Sequence, residues 1–253
     1  MIQPRYLTII ATVIILAAAC KRGDEPDFKA FNYVSADSTA MPYRLHIPDE
    51  YYSRIEYPLV VFLHGGAGRG SNNSSQISGG NAAGSHVWFT DANRANYPAF
   101  VVAPQLPDGF TRWDNSRSAD VSGYEDLVLA IIEELVDTYS IDEDRIYLTG
   151  QSLGGWGTWD LIEKKPYFFA AAIPVCGGAN PNGAALIAHL PIWAFHGELD
   201  KTVPVELSRE IVAAIDKLGG KIKYTEYKGA EHNIWDRAYN EAGLVEWLFS
   251  QRR

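Results

Sequence analysis

Cysteine is scarce, with two in 253 residues, which removes the small disulfide-stapled class from consideration. Positive charge is short as well. Against 31 acidic residues stand 22 lysines and arginines, a formal net charge of −9. No basic cluster interrupts that balance, so nucleic acid is not an expected partner, because phosphate binding draws on grouped Lys and Arg. The chain has no HExxH spacing and no CxxC pair, and a metal site therefore has no support in the pattern. Nor does any glycine-rich loop end in Gly-Lys-Ser or Gly-Lys-Thr, the signature of a nucleotide phosphate loop. The apolar run near the start falls short of the roughly 20 residues a spanning helix needs. No cofactor is implied.

That run, Tyr6 to Ala19, follows a short segment carrying Arg5 and ends in Ala17-Ala18-Ala19 directly before Cys20. Its length and flanks are those of a signal-peptide h-region. A cysteine at this spot resembles a bacterial lipoprotein processing site, where the thiol is acylated and becomes the mature N-terminus. An ordinary secretory signal cut nearby is the alternative. The expectation is a signal peptide over residues 1–19, a polar tether over 20–27, and one folded domain over 28–253. The protein would be exported and held to a membrane only through a lipid anchor on Cys20. Cys176, in "AAAIPVCGG", reads as a buried small hydrophobe rather than a reactive thiol.

With 47% hydrophobic residues, the body can bury one large core. "FKAFNYV" and "YRLHIP" read as an opening antiparallel strand pair. "PLVVFLHGG", "AFVVAPQ", "RIYLTG", "FAAAIPVCGG" and "PIWAFHG" are near-continuous apolar runs of strand length, the pattern of parallel strands covered on both faces. Helical periods lie between them. Leu127, Ile131, Leu135 and Val128, Ile132, Val136 form one stripe, and Leu207, Ile211, Ile215 and Leu218 another. Tyr239 to Phe249 reads as a closing helix. These elements predict an α/β fold, a doubly wound and mostly parallel sheet with helices on both faces. Gly65 to Ser85 is rich in Gly, Ser and Asn and directly follows a strand. Such a segment is either a flexible surface loop or a loop over the C-terminal sheet edge, where α/β folds place ligands.

Within this pattern, Gly150-Gln151-Ser152-Leu153-Gly154 fits a nucleophile elbow: strand "RIYLT" before it, helix "GGWGTWDLIEKK" after it. A serine hydroxyl is a weak nucleophile until a base takes its proton. In the chain order Ser, acid, His, only His189, His196 and His232 qualify. His232, between the strand read from "KIKYTEY" and the closing helix, is the expected base. The acid should lie after "PIWAFHG", where Asp200 is the candidate and Glu198 the reserve; Glu231 reads as a solvated neighbour of the base. An oxyanion hole would take backbone N–H groups from Leu153 and from Gly66, with Ala67 as the alternative. His64 could brace that second loop. Trp113 and Trp235 are the candidate substrate-binding aromatics, with Trp88 a possible third. Trp156, Trp159, Trp193 and Trp247 read as packing.

"YPLVVFLHGGAGRG", "YPAFVVAPQ", "DRIYLTGQSLGGWGTWDL", "AAAIPVCGG", "PIWAFHGELDKTVPVELSRE" and "YTEYKGAEHNIWDRAY" together resemble the prolyl oligopeptidase-like branch of the α/β-hydrolases. More narrowly, the chain is similar to the bacterial group labelled predicted peptidase or phospholipase/carboxylesterase. That group lies near the feruloyl and acetylxylan esterases of carbohydrate esterase family 1. The match runs from about Tyr43 to Gln251, in order. It implies the α/β-hydrolase fold, nucleophile Ser152, acid Asp200 and base His232, and acyl transfer through an acyl-enzyme without a cofactor. The implied substrate is a feruloyl or acetyl ester of a polysaccharide or oligosaccharide. A serine peptidase is the competing activity, and a non-catalytic glycan-binding lipoprotein on the same fold the competing class.

Overall fold

The computed structural model describes residues 28–36, 38–114 and 123–253. The expected signal peptide, tether and Cys20 anchor lie outside the described residues. Among the described residues, eight strands form a single sheet: β1 (Phe28–Val34), β2 (Ala40–His46), β3 (Tyr57–Leu63), β4 (Phe100–Pro104), β5 (Ile141–Gln151), β6 (Ala171–Val175), β7 (Ile192–Gly197) and β8 (Ile222–Tyr227). Their order is β1-β2-β4-β3-β5-β6-β7-β8. β1 and β2 pair antiparallel, β2 joins β4 antiparallel, and every pairing from β4 onward is parallel. The α-helices are α1 (Ala82–His86), α2 (Asp91–Asn96), α3 (Tyr124–Thr138), α4 (Leu153–Lys164), α5 (Ala184–Ile187), α6 (Val205–Lys217), α7 (Trp235–Tyr239) and α8 (Leu244–Phe249).

The unbroken apolar strands follow from burial on both faces. All seven residues of β3 are buried, and successive side chains point to opposite sides. Leu59, Val61 and Leu63 join a core with Leu127, Ile131 and Leu135 of α3, Leu161 of α4 and Ile211 and Ile215 of α6. Val60 and Phe62 join a second core with Ala238 and Tyr239 of α7 and Leu244 and Leu248 of α8. Each fully buried leucine, isoleucine or phenylalanine contributes on the order of 1.5–3 kcal/mol of transfer free energy, so both layers clamp the sheet. The fold is the α/β-hydrolase fold, an eight-stranded, mostly parallel sheet with helices on both faces.

Three local expectations change. The closing helix starts later than Tyr239, which ends α7; α8 begins only at Leu244, after Gly243 at φ 78°. Leu218 lies beyond the end of α6 and is exposed; Gly219, at φ 71°, supplies the left-handed stop. The Gly/Ser/Asn-rich segment after β3 folds into short 3-10 turns leading into α1, with Gln76, Asn81 and Ser85 buried. Its backbone is tied down: the Gly65 N–H donates to Asn81 Oδ1 (2.8 Å), and Gln151 Nε2 donates to the Gly80 carbonyl (2.8 Å). Gln105 Nε2 does the same for the Gly68 carbonyl (3.0 Å).

Candidate active site

β5 ends at Gln151, and α4 starts at Leu153, leaving Ser152 alone to turn the chain. It does so at φ 54°, ψ −113°, a region that side-chain-bearing residues rarely occupy. The Ser152 N–H is held by the Val175 carbonyl of β6 (2.8 Å), and its carbonyl accepts from the Trp156 N–H (3.0 Å). A Cβ on Gly154 would overlap the Leu63 carbonyl oxygen, and one on Gly150 would overlap the Gly154 carbonyl. The two glycines of the motif therefore let the elbow pack against the end of β3 and against itself.

The three residues drawn from separate loops meet. Ser152 Oγ is 2.8 Å from His232 Nε2, and His232 Nδ1 is 2.6 Å from Asp200 Oδ2. A carboxylate can only accept, so Nδ1 carries the proton and Nε2 is free to take one from the hydroxyl. Burial raises the Asp200 carboxyl, but hydrogen bonds from His232 and from the Val203 and Thr202 N–H groups outweigh it and hold Asp200 below the ordinary carboxylate range. Those two N–H groups reach Oδ1 at 2.9 and 2.8 Å. The reserve acid, Glu198, is used elsewhere: its Oε2 accepts the Gly229 N–H at 2.7 Å. Glu231 is exposed.

Gly66 opens the 3-10 turn after β3 and Leu153 opens α4. The first N–H groups of a helical turn have no intrahelical acceptor, so both amides are free of their own helix; Ala67 N–H, one residue further, shares that property. The post-β3 turn rests on the elbow. A Cβ at Gly65 would lie 3.4 Å from the Gln151 carbonyl oxygen. Arg69 braces this turn by donating Nε to the Gly66 carbonyl (3.0 Å) and Nη1 to the Phe110 carbonyl (2.9 Å). His64 is buried, donates Nδ1–H to the Gly65 carbonyl (2.7 Å) and accepts the Leu106 N–H at Nε2 (3.0 Å). Desolvation lowers its pKa to about 4, so it braces the loop as a neutral ring.

The aromatic candidates separate. Trp235 is half-buried and stands edge-to-face on His232, 5.1 Å between centroids at 87°, with Gly80 against its Nε1. Trp113 does not fit the expectation of a substrate-binding aromatic. It is fully buried, slotted under α4 where a Cβ on Gly157 would come within 2.7 Å of its Cδ1, and beside the His64 ring at 5.0 Å. Trp88 is also buried, donating Nε1–H to the Gly84 carbonyl at 2.7 Å. Trp156, read as packing from its helical position, is half-buried one turn after Ser152, with the Arg112 guanidinium 4.6 Å over its ring. An open cleft of about 630 Å³ adjoins His232 and is bordered by Leu199, Lys201, Glu231, Asn233 and Arg237.

Several residues at the site carry no motif. Cys176 follows β6 at φ 47°, fully buried, and its Sγ donates to the His232 carbonyl at 3.4 Å. His196, at the end of β7, has no exposed surface. Among the described residues, Cys176, His196 and Asp200 form the one group whose donor atoms, within 4.8 Å of one another, could hold a metal ion. Each already serves a hydrogen bond within the protein, and burial pushes the Cys176 thiol upward, against the thiolate that a metal requires. Chain order gave no hint of this group, because its members come together only at the ends of adjacent strands.

A doubly wound sheet with a serine elbow after β5, and a carboxylate and an imidazole on the loops after β7 and β8, is an α/β-hydrolase architecture. Residues 53–242 match the phospholipase/carboxylesterase family, and the chain belongs to it. It is similar to a probable feruloyl esterase C of Aspergillus niger, 30% identical over 178 residues that cover 67% of this chain and 60% of the relative. The chain thus spans about 60% of the length of that relative. Among solved structures it is similar to a thermostable esterase, 39% identical at TM-score 0.83, covering 90% of this chain and 64% of that one. A ferulic acid esterase from Anaeromyces mucronatus, solved with ferulic acid, shares the fold at 15% identity and TM-score 0.61, covering 92% and 93% of the two chains.

Proposed function

We propose that this protein is a serine ester hydrolase acting through an acyl-enzyme on feruloyl or acetyl esters of polysaccharides or their fragments. The observation that carries the reading is the continuous relay from Ser152 Oγ through His232 to Asp200, at 2.8 and 2.6 Å. Ser152 attacks the ester carbonyl while His232 Nε2 takes its proton, and Asp200 stabilises the imidazolium. The Leu153 and Gly66 amides receive the oxyanion. His232 returns the proton to the leaving alcohol, and water repeats the sequence to free the acid. The similarity to feruloyl esterases supports the acyl side. Trp235, beside the base, is suited to an aromatic acyl group. Export as a lipoprotein anchored at Cys20 is part of the same reading, since glycan esters lie outside the cytoplasm.

The test is a substrate panel on purified protein: methyl ferulate, acetylated xylan and Ala-Pro amides, each with Ser152→Ala as control. Turnover of the esters, lost in Ser152→Ala, is expected. Cleavage of the amides alone would replace the esterase reading with a peptidase. No labelling of folded protein by a fluorophosphonate would remove the catalytic reading altogether. Lipidation is read separately, as incorporation of labelled fatty acid that Cys20→Ala abolishes.

A further inference from the structure

The carboxylate oxygen that orients His232 is approached by a second imidazole. His196 Nε2 lies 3.2 Å from Asp200 Oδ2, the same oxygen that accepts from His232 Nδ1. Nε2 is also 3.0 Å from the Val203 carbonyl oxygen, which can only accept, so Nε2 carries a proton. On the other side of the ring, Nδ1 lies 2.7 Å from Ser208 Oγ of α6, and Ser208 Oγ lies 3.0 Å from the Gly177 carbonyl. Both His196 and Ser208 are buried. A chain of polar contacts therefore runs from α6 through His196 to Asp200, under the site and away from solvent.

A buried imidazole at the end of an apolar strand is costly unless its N–H groups find partners. The strand itself gives no reason for it. Its preceding residue, Phe195, packs in the second core as an ordinary hydrophobe, and a leucine would extend that pattern. What a leucine could not do is donate to the Val203 carbonyl in the turn that carries Asp200. Burial lowers the His196 pKa and so favours the uncharged ring. That distinction matters for the relay. A lysine or arginine at the same place would neutralise Asp200 and weaken its hold on the imidazolium of His232. A neutral ring holds the turn while leaving the charge of the carboxylate available.

We propose that His196 is a positioning residue: its Nε2–H holds the Val203 carbonyl, and with it the turn that presents Asp200 to His232, while Nε2 stands 3.2 Å from Asp200 Oδ2. The Thr202 and Val203 amides pin Oδ1, His232 binds Oδ2, and the His196 ring stands against that same oxygen while holding the Val203 carbonyl, so the carboxylate is fixed from both sides. This rests on Asp200 acting as the acid of the proposed esterase.

The test compares His196→Leu, His196→Gln and Ser208→Ala with the unchanged protein on methyl ferulate, with kcat expressed per active site titrated by a fluorophosphonate. Glutamine can place its amide N–H near the position of Nε2; leucine cannot. The expected result for His196→Leu is a loss in kcat of roughly 10- to 100-fold at unchanged KM, as the acid of the relay loses its alignment. His196→Gln should recover most of that loss, and Ser208→Ala, which frees the ring to turn, should fall between. Equal kcat in His196→Leu and the unchanged protein overturns the proposal. So does an equal loss in the leucine and glutamine variants, which would mean that packing alone matters. If the unchanged protein neither labels nor turns over ester, the esterase reading has failed instead, a separately visible outcome.

Discussion

Gly154, two residues past the elbow serine, presses its Cα against the carbonyl oxygen of Leu63, at the end of the neighbouring strand β3, so closely that no Cβ fits between them. The partner is backbone, which cannot swing aside as a long side chain could. Gly154→Ala should therefore separate α4 from the sheet and lose at least the 1–3 kcal/mol, on the order of magnitude, that overpacking costs a close-packed core. Chemical denaturation would measure it. An alanine variant as stable as the parent would mean that the elbow has more room than the close approach implies.

Gly66 makes the contrast. A Cβ there would meet only Arg69 Nη2, at an ordinary 3.7 Å, so Gly66→Ala should fold normally and keep its amide. Proline is the informative substitution. Gly66 is the first residue of its 3-10 turn, a position that tolerates proline, and Gly65 before it is extended at φ −73°, ψ 174°, as a residue preceding proline should be. Gly66→Pro removes one N–H and little else. If that N–H receives the oxyanion, kcat on ester should fall by about 10²- to 10³-fold while Gly66→Ala stays near the parent. A proline variant with parental kcat would shift the donor to Ala67.

The two tryptophans singled out in the sequence should behave oppositely. Trp113→Ala empties a fully buried slot between α4 and His64, and the expected cost is about 3–5 kcal/mol of stability. Trp235→Ala removes a half-buried ring beside His232, so stability should change little while KM for an aromatic ester rises more than KM for an acetyl ester. Thermal melts and parallel kinetics on methyl ferulate and a simple acetate check both. Similar effects of the two substitutions would contradict the division between core and rim.

This division shows what the sequence could and could not convey. The strands were legible because burial on both faces leaves an unbroken apolar run, and the elbow because a sharp strand-to-helix turn needs small residues at fixed offsets. Ser152, Asp200 and His232 were reachable because α/β-hydrolases carry serine, acid and histidine in that chain order, each on the loop after a strand. Trp113 was misread because an aromatic in a polar stretch looks the same whether it rims a cleft or folds back under a helix; only the space left by Gly157 decides it. The break at Gly243 was hidden inside a helical hydrophobic pattern. His196 was legible as a histidine at a strand end and Cys176 as a buried small hydrophobe, but their relation to Asp200 and His232 was not, since it exists only between strand ends that are distant in sequence.

His64 supplies a prediction in which the sign is fixed by burial. Its ring is neutral in the folded state, with pKa lowered from 6.5 to about 4 by desolvation, whereas in the unfolded chain it titrates at its ordinary value. Between those two pH values the unfolded state binds the extra proton, so stability falls as pH drops from about 6.5 towards 4 and this contribution levels off below. A lowering of that size corresponds to roughly 3–4 kcal/mol as an upper bound. Urea unfolding of the parent and of His64→Gln at several values from pH 8 to pH 4 isolates the term, because all other groups titrate in both proteins. The glutamine variant should be the less stable at pH 8, where its hydrogen bonds to Gly65 and Leu106 are imperfectly replaced. Its curve should then decline less steeply under acid, so that the gap narrows between pH 6.5 and pH 4. Parallel curves would show that His64 takes up its proton in the folded state without penalty, and that it is not held as a neutral ring beneath the Gly66 turn.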